Sequence, residues 1–112
     1  MNMEIVFKTN KLRKSFDSPR AIMANYGTMA KLVNQRLLEL KAATSLFDIS
    51  LLPKANLHLL HRDLKGCFAL DVSANFRMVI EPDYSPVPMQ ENGSINLNKI
   101  IRIRIISVED YH

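Results

Sequence analysis

The carboxyl-terminal end of this sequence concentrates side chains that can exchange protons. Its last residues are Glu109, Asp110, Tyr111 and His112, so carboxylate, phenol and imidazole groups follow one another directly. Imidazole has an unperturbed pKa of about 6.5, which suits histidine to give and take protons near neutral pH. A chain end contributes to a site only when neighbouring structure holds it in place.

The segment before this end has the pattern of a strand that can anchor it. Residues 99–108 are rich in β-branched side chains, and isoleucine alternates with arginine. A period of two predicts that Ile101, Ile103 and Ile105 share one face, while Arg102 and Arg104 share the other. We expect the isoleucines to pack on a core, so that Asp110, Tyr111 and His112 leave the end of an anchored strand.

Further polar side chains can join the terminal ones if the fold brings them together. They are His58, His61, Arg62, Lys65 and Arg77. RNA can be cleaved without a metal when one group removes the proton of the 2′-hydroxyl and another protonates the leaving 5′ oxygen. Cations must also stabilise the negative charge that builds on the phosphate. Histidine, aspartate, lysine and arginine are the side chains that this chemistry needs.

Each of these residues also has an ordinary structural explanation. Arg77 is flanked by apolar residues, so a solvated strand arginine is the commoner role. His58 can equally be a hydrogen-bonded structural histidine. Arg102 and Arg104 can line a nucleic-acid groove, although a solvated face that shields a sheet edge is the commoner role.

Composition limits the possible classes of site. The 112 residues suffice for one domain, residues 1–112, with a single core. Cys67 is the only cysteine and lies in an apolar run, where inert burial is the expected role. The three histidines lack metal-ligand spacing and the three glycines form no phosphate-binding loop, so neither a metal nor a cofactor is expected.

Charge is distributed unevenly along the chain. Residues 1–66 contain 11 basic and 5 acidic side chains, whereas residues 67–112 contain 4 and 6. A basic excess favours an acidic partner such as RNA, although many soluble domains carry similar charge. No apolar run reaches the length of about 20 residues that a membrane span needs, and no signal peptide is apparent, so a cytoplasmic protein is expected.

Helical and strand patterns follow one another in an order typical of an α+β domain. Ser18 and the proline after it are typical of a helix start and Gly27 of its end, which predicts a helix over residues 19–26. Thr28 can cap a second amphipathic helix that ends near residue 43. Strands are expected at residues 3–8, 57–61, 67–72, 76–82 and 99–108. The sequence therefore predicts two amino-terminal helices packed on a mainly antiparallel sheet.

Residues 82–98 interrupt the strand pattern. They contain Pro82, Pro86 and Pro88, an Asn92-Gly93 turn and little apolar periodicity. We expect a long, exposed hairpin excursion, for which a disordered insertion is the simplest explanation and a partner contact the alternative.

Several stretches resemble, in the same order, the HigB-type toxins of type II toxin–antitoxin systems, within the RelE/ParE superfamily. The resemblance covers nearly the whole chain. The stretches are Lys11-Leu12-Arg13-Lys14-Ser15-Phe16-Asp17-Ser18, Gln35-Arg36-Leu37-Leu38-Glu39-Leu40-Lys41-Ala42-Ala43, Leu57-His58, Gly66-Cys67-Phe68-Ala69-Leu70-Asp71-Val72, Ala74-Asn75-Phe76-Arg77 and Asp110-Tyr111-His112.

The resemblance implies a RelE/ParE-like microbial RNase fold and a ribosome-dependent endonuclease that cuts messenger RNA. It implies as partners the ribosome, the message and a cognate helix-turn-helix antitoxin of the HigA type. The family histidine falls on His58, the family arginine on Arg77, and the terminal acid and histidine on Asp110 and His112.

The sequence departs from the family pattern at the phosphate-binding cation. The position of the family lysine holds His61, whereas a Leu-Lys-Gly sequence occurs later and places Lys65 beside the glycine. Either residue can supply the cation, or this segment aligns with the family pattern in a different way. Arg62, Tyr111, Arg102 and Arg104 complete the expected RNA-binding set.

Two other functions are compatible with the same pattern. One is a toxin of this superfamily that acts by binding a target such as gyrase and has no nuclease activity. The other is a noncatalytic basic RNA-binding module. The histidines and the terminal triplet favour the nuclease.

Overall fold

The computed structural model describes residues 1–110 and contains one five-stranded sheet with four α-helices on one of its faces. The strands are β1 (Glu4–Phe7), β2 (His58–Leu59), β3 (Phe68–Asp71), β4 (Phe76–Pro82) and β5 (Arg102–Asp110). The helices are α1 (Asn10–Ser15), α2 (Pro19–Tyr26), α3 (Ala30–Ala42) and α4 (Leu46–Ser50). No helix in this part of the chain is both long enough and apolar enough to cross a membrane.

The strand order explains how the two ends of the chain come together. The order across the sheet is β1-β5-β4-β3-β2, in which β1 pairs parallel with β5 and all other neighbours are antiparallel. The α+β fold expected from the sequence is confirmed. Because β5 lies between β1 and β4, it is an internal strand.

The helices cover one face of the sheet through the apolar stripe of α3. Val33, Leu37 and Leu40 are buried there against sheet residues such as Met78 and Ile103. The helix predicted over residues 19–26 is confirmed, since the Ser18 hydroxyl accepts a hydrogen bond from the Ala21 N–H at 3.0 Å. Gly27 ends that helix with φ of +53°, a conformation that glycine adopts at little cost.

Thr28 does not cap α3. Residues 27–29 form a 3₁₀ turn instead, and α3 begins at Ala30 without a side-chain cap. The turn hydrogen-bonds Ala30 N–H to the carbonyl of Gly27, so a backbone acceptor satisfies part of the helix start.

Entry into β5 differs from the strict alternation expected from the sequence. Ile103 and Ile105 are fully buried as expected, but Ile101 is 54% exposed and Ile100 is buried in its place. The strand begins only at Arg102, because the chain leaves a 3₁₀ turn at residues 97–99 just before Ile100. The Ile101 N–H then bonds to the Tyr84 hydroxyl at 2.9 Å.

A β-bulge changes the phase of β5 in its second half. Ile80 lies opposite Ile105 while Val79 lies opposite Ser107, so Ile106 is the extra residue. A bulge inserts one residue and reverses which side chains face the core beyond it. Val108 therefore joins the core, and Ser107 and Glu109 take the face of Arg102 and Arg104.

Residues 82–98 form the expected hairpin, exposed at residues 89–94, but they are not a disordered insertion. Tyr84, Val87, Ile95 and Leu97 pack against the core, and Met89 and Ile95 form an isolated antiparallel bridge. The peptide between Ser85 and Pro86 is cis. Apolar residues too widely spaced to give a periodic pattern therefore hold this segment to the domain.

We expect the two leucines at positions 40 and 38 of α3 to respond very differently to truncation. Leu40 is fully buried and Leu38 is 51% exposed. Leu40→Ala should lower the free energy of unfolding by about 2–5 kcal/mol, because it removes buried methyl groups and leaves a cavity. Leu38→Ala is the matched control and should change it by less than about 1 kcal/mol. Urea denaturation of both variants checks this, and equal losses would contradict the assigned helix face.

Candidate active site

Two candidate catalytic side chains, those of His58 and Arg77, lie on the sheet face opposite the helices, which we call the open face. One row across this face consists of Asp71 on β3, Arg77 on β4 and Glu109 on β5, which are register partners in neighbouring strands. Side chains directly opposite one another in paired strands are near neighbours. Arg77 is therefore placed between two acidic residues.

Arg77 is held in place by the carboxylate of Glu109. Its Nε and Nη2 groups both donate to Glu109 Oε1, at 2.9 and 2.8 Å. The second oxygen, Oε2, accepts from the Ser107 hydroxyl at 3.3 Å. The Arg77 side chain is only 18% exposed, so it is not the solvated strand arginine that its neighbours in the sequence suggested.

Asp71 completes the row with a carboxylate that is only partly paired. Its Oδ2 accepts from the Asn56 side-chain amide at 3.0 Å. Its Oδ1 is buried and has no hydrogen-bond partner among residues 1–110. Unsatisfied buried oxygens are uncommon and often mark functional positions.

His58 lies on the same face at the edge of the sheet, on β2 opposite Ala69. Its Nδ1 is 2.7 Å from the carbonyl oxygen of Asn56. A carbonyl oxygen can only accept, so Nδ1 carries the proton, and in the neutral ring Nε2 has a free lone pair. Nε2 makes no hydrogen bond within residues 1–110. The half-buried ring can therefore accept a proton at Nε2.

The sheet brings His58 and Arg77 onto one face without direct contact. His58 on β2 is two strands away from β4, and Arg77 lies two residues along β4 from the position level with His58. These offsets correspond to about 12 Å between the two Cα atoms. This separation leaves room for a sugar-phosphate unit between the two side chains.

The segment between β2 and β3 carries exposed cations. His61, Arg62 and Lys65 are all exposed, and none of them makes an ion pair within the described chain. Arg62 has φ of +61° at the start of a 3₁₀ turn, a conformation that is strained for a residue with a side chain. The strand expected over residues 57–61 is limited to His58 and Leu59.

Lys65 lines a groove on the open face that the sequence did not indicate. The groove has a volume of about 560 Å³, and its walls include Lys8 at the end of β1, Glu81 and Arg104. Lys8 was missed because it is separated from the other cations by 50 or more residues, and only the parallel pairing of β1 with β5 places it there. His61 does not line this groove, so the groove favours Lys65 as the phosphate-binding cation.

Arg104 also belongs, with Arg102, to an ionic network on the open face. Arg102 pairs with Glu4 and Asp83, and Arg104 pairs with Glu81 at 3.0 Å and Asp83 at 2.7 Å. These arginines do not shield a sheet edge, because β5 is internal. Their charges are largely compensated by three carboxylates, which makes them weaker candidates for RNA binding than the loop cations.

The carboxyl-terminal candidates divide between the two faces. Asp110 is the register partner of Phe76, and Glu109 is the partner of Arg77. Alternation therefore directs Asp110 toward the helix side of the strand end and Glu109 toward the open face. Glu109 is a residue that sequence reasoning did not include in the site. Tyr111 and His112 lie outside the described residues.

Cys67 is buried near the groove, as expected for an inert thiol. Burial raises the pKa of this thiol, and the negative charge of Glu81 raises it further. A thiol with a raised pKa is a poor nucleophile at neutral pH. Among residues 1–110, no group of three or more histidine, cysteine or acidic side chains is arranged to hold a metal ion.

Comparison with known proteins relates this architecture to a group of toxins. No protein-family model and no curated protein matches the sequence. A solved YoeB/ParE toxin from Agrobacterium tumefaciens superposes with a TM-score of 0.55 at 14% identity, over 98% of this chain and 100% of that one. The chain has the fold of these toxins.

Two Staphylococcus aureus structures agree with this assignment. A YoeB dimer superposes with a TM-score of 0.52 and a YoeB-YefM complex with 0.50, both at 18% identity and over 100% of this chain and 99% of theirs. The RelE/ParE-like fold expected from the sequence is thereby confirmed.

The ionic network predicts how stability depends on pH. Hydrogen bonding to Arg102 lowers the pKa of Asp83 below its ordinary value. The stabilisation from Asp83 is therefore complete above its unfolded pKa of about 3.9 and is lost as pH falls through the lower folded value. Asp83→Asn should unfold at a lower temperature than wild type at pH 7. Thermal unfolding from pH 7 to pH 2 measures the difference in unfolding temperature between the two proteins. This difference should become smaller in acid, because protonation of Asp83 then removes the same negative charge from wild type.

Proposed function

We propose that this protein is the toxin of a type II toxin–antitoxin system, of the HigB type, and that it cleaves messenger RNA on the ribosome without a metal ion. The observation that carries the proposal is the placement of His58 and Arg77 on one open face. His58 has an acceptor nitrogen available there, and Arg77, which Glu109 holds in place, has its Cα about 12 Å from that of His58. The fold shared with the YoeB/ParE toxins supports the same proposal.

The cleavage step follows from the protonation state of His58. Nε2 removes the proton of the ribose 2′-hydroxyl, and the 2′ oxygen attacks the adjacent phosphorus. The bond to the 5′ oxygen breaks, leaving a 2′,3′-cyclic phosphate, and that oxygen takes a proton from an acid. His112 is the proposed acid, and Asp110 orients it or acts as an alternative base. The two histidines can also exchange roles.

Cationic side chains near the phosphate stabilise the negative charge that builds on it during cleavage. Arg77 donates to the phosphate oxygens on which negative charge builds, and the guanidinium can do so while Glu109 limits its motion. Lys65 supplies the second cation from the groove, with His61 as the alternative. Arg62, Tyr111, Arg102 and Arg104 are proposed to contact RNA further from the cut.

The proposed partners follow from the same resemblance and from charge. They are the ribosome with its bound message in the cytoplasm, and a HigA-type helix-turn-helix antitoxin that silences the toxin. Residues 1–66 carry 11 basic and 5 acidic side chains, which favours association with ribosomal RNA.

Replacing either central residue should abolish cleavage on translating ribosomes. His58→Gln and Arg77→Gln should each lower the rate by about 10²-fold or more, because one removes the base and the other a charge-stabilising donor. Arg20→Gln is the matched control, since Arg20 is exposed on α2 on the helix side of the sheet. Cleavage products are mapped by primer extension, and thermal unfolding confirms that each variant is folded. Full activity of His58→Gln would refute the proposed base, and growth arrest without cleavage would favour a toxin that acts by binding.

Three further variants separate the remaining roles. Lys65→Gln should reduce cleavage more than His61→Gln, because only Lys65 lines the groove.

Removal of Tyr111 and His112 should abolish cleavage if His112 is the acid. Full cleavage by the truncated protein would refute the terminal site while leaving the roles of His58 and Arg77 intact.

A further inference from the structure

A buried arginine on α3 reaches the segment that leads to His58. Arg36 is 5% exposed, and its Nε donates to the Asp71 carbonyl at 2.7 Å. One Nη group donates to the Lys54 carbonyl at 3.2 Å, and the other pairs with Glu39 at 2.8 Å. A buried charge is costly unless every donor is engaged. Arg36 therefore ties α3 to two separate backbone segments at once.

Hydrogen bonds continue from these segments to the imidazole of His58. The Asp71 N–H donates to the Ala55 carbonyl at 2.8 Å, and the Asn56 side-chain amide donates to Asp71 Oδ2 at 3.0 Å. The Asn56 carbonyl in turn accepts from Nδ1 of His58 at 2.7 Å. The chain of contacts therefore runs from Arg36 through Asp71 and Asn56 to the ring nitrogen.

The conformation of Asn56 turns its carbonyl oxygen toward the ring. Asn56 has φ of +46°, a left-handed conformation that asparagine tolerates better than most residues. Its side chain is anchored on Asp71, which keeps the residue in this conformation. β2 alone contributes only two paired residues, His58 and Leu59, and so gives little support of its own.

We propose that Arg36 and Asn56 are positioning residues that select the Nδ1–H tautomer of His58 and thereby leave Nε2 as the proton acceptor on the open face. The catalytic use of this tautomer rests on the proposed nuclease function, whereas the tautomer itself does not. In free histidine the proton prefers Nε2, and the tautomer in a protein is set by the partner of the other nitrogen. Without the Asn56 carbonyl in place, the ring loses the contact that holds the proton on Nδ1.

The tautomer can be measured directly in the intact protein. Long-range ¹H–¹⁵N correlation spectra of ¹⁵N-histidine-labelled protein distinguish a protonated from an unprotonated ring nitrogen. They are recorded at a pH high enough for the ring to be neutral. Wild type should show His58 with Nδ1 protonated. Asn56→Gly keeps the left-handed backbone accessible but removes the anchor on Asp71, and Arg36→Lys keeps the charge but loses the forked contacts. Both should shift His58 toward the Nε2–H form, and Arg20→Lys, on the exposed part of α2, should leave it as in wild type.

Activity provides the second readout. In message cleavage, the two variants should lower kcat at least 10-fold with little change in KM, because the base is mispositioned while the RNA-binding cations are untouched. Asn56 is exposed and Asn56→Gly should fold, so this variant tests the proposal even if Arg36→Lys does not fold.

Several results would overturn the inference. They are an Nε2–H tautomer in wild type, and a His58 spectrum in Asn56→Gly identical to that of wild type. If the tautomer shifts as expected but wild type cleaves no message, the positioning network stands and the nuclease function fails. The two proposals are thus tested separately.

Discussion

The pairing of β4 with β5 is the constraint on which the other features of the site depend. It joins the middle of the chain to its end over seven register pairs, from Phe76 opposite Asp110 to Pro82 opposite Ile103. β5 in turn holds β1, and β4 holds β3, so this pair lies at the centre of the sheet. The bulge at Ile106 lies within it. By shifting the phase of β5, the bulge places Glu109 beside Arg77 and keeps Val108 in the core.

Electrostatic organisation of the open face follows from the same sheet. Arg102 and Arg104 are paired with Glu4, Glu81 and Asp83, so their charges are largely compensated. The segment between β2 and β3, whose Lys65 lines the same groove as Arg104, carries cations without ion-pair partners in the described chain. An anionic ligand is therefore attracted to these unpaired cations rather than to the paired arginines.

The sequence was a good guide where local physical chemistry decides the structure. The Ser18-Pro19 start and the Gly27 end of α2 depend on capping and backbone preferences within a few residues, and both were predicted. β4 has the predicted bounds, because Phe76, Met78 and Ile80 recur at every second position and share one face. The packing of residues 82–98 was not predicted, because distant parts of the chain create the surface that partly buries Tyr84, Val87, Ile95 and Leu97.

In the candidate site, too, some features follow from local sequence and others from the whole fold. The kinds of residue needed for acid–base chemistry, and the candidacy of His58 and Arg77, were recognisable from the sequence and its resemblance to a toxin family. Only the tertiary structure revealed that Glu109 pairs with Arg77, that Lys8 lies across a groove from Lys65, and that Arg36 supports the segment before His58. Residue types and local periodicity are properties of short segments and can be derived from the sequence alone. Strand register, a bulge and contacts across 35 residues depend on which surfaces of the whole chain pack together, and no local pattern encodes them.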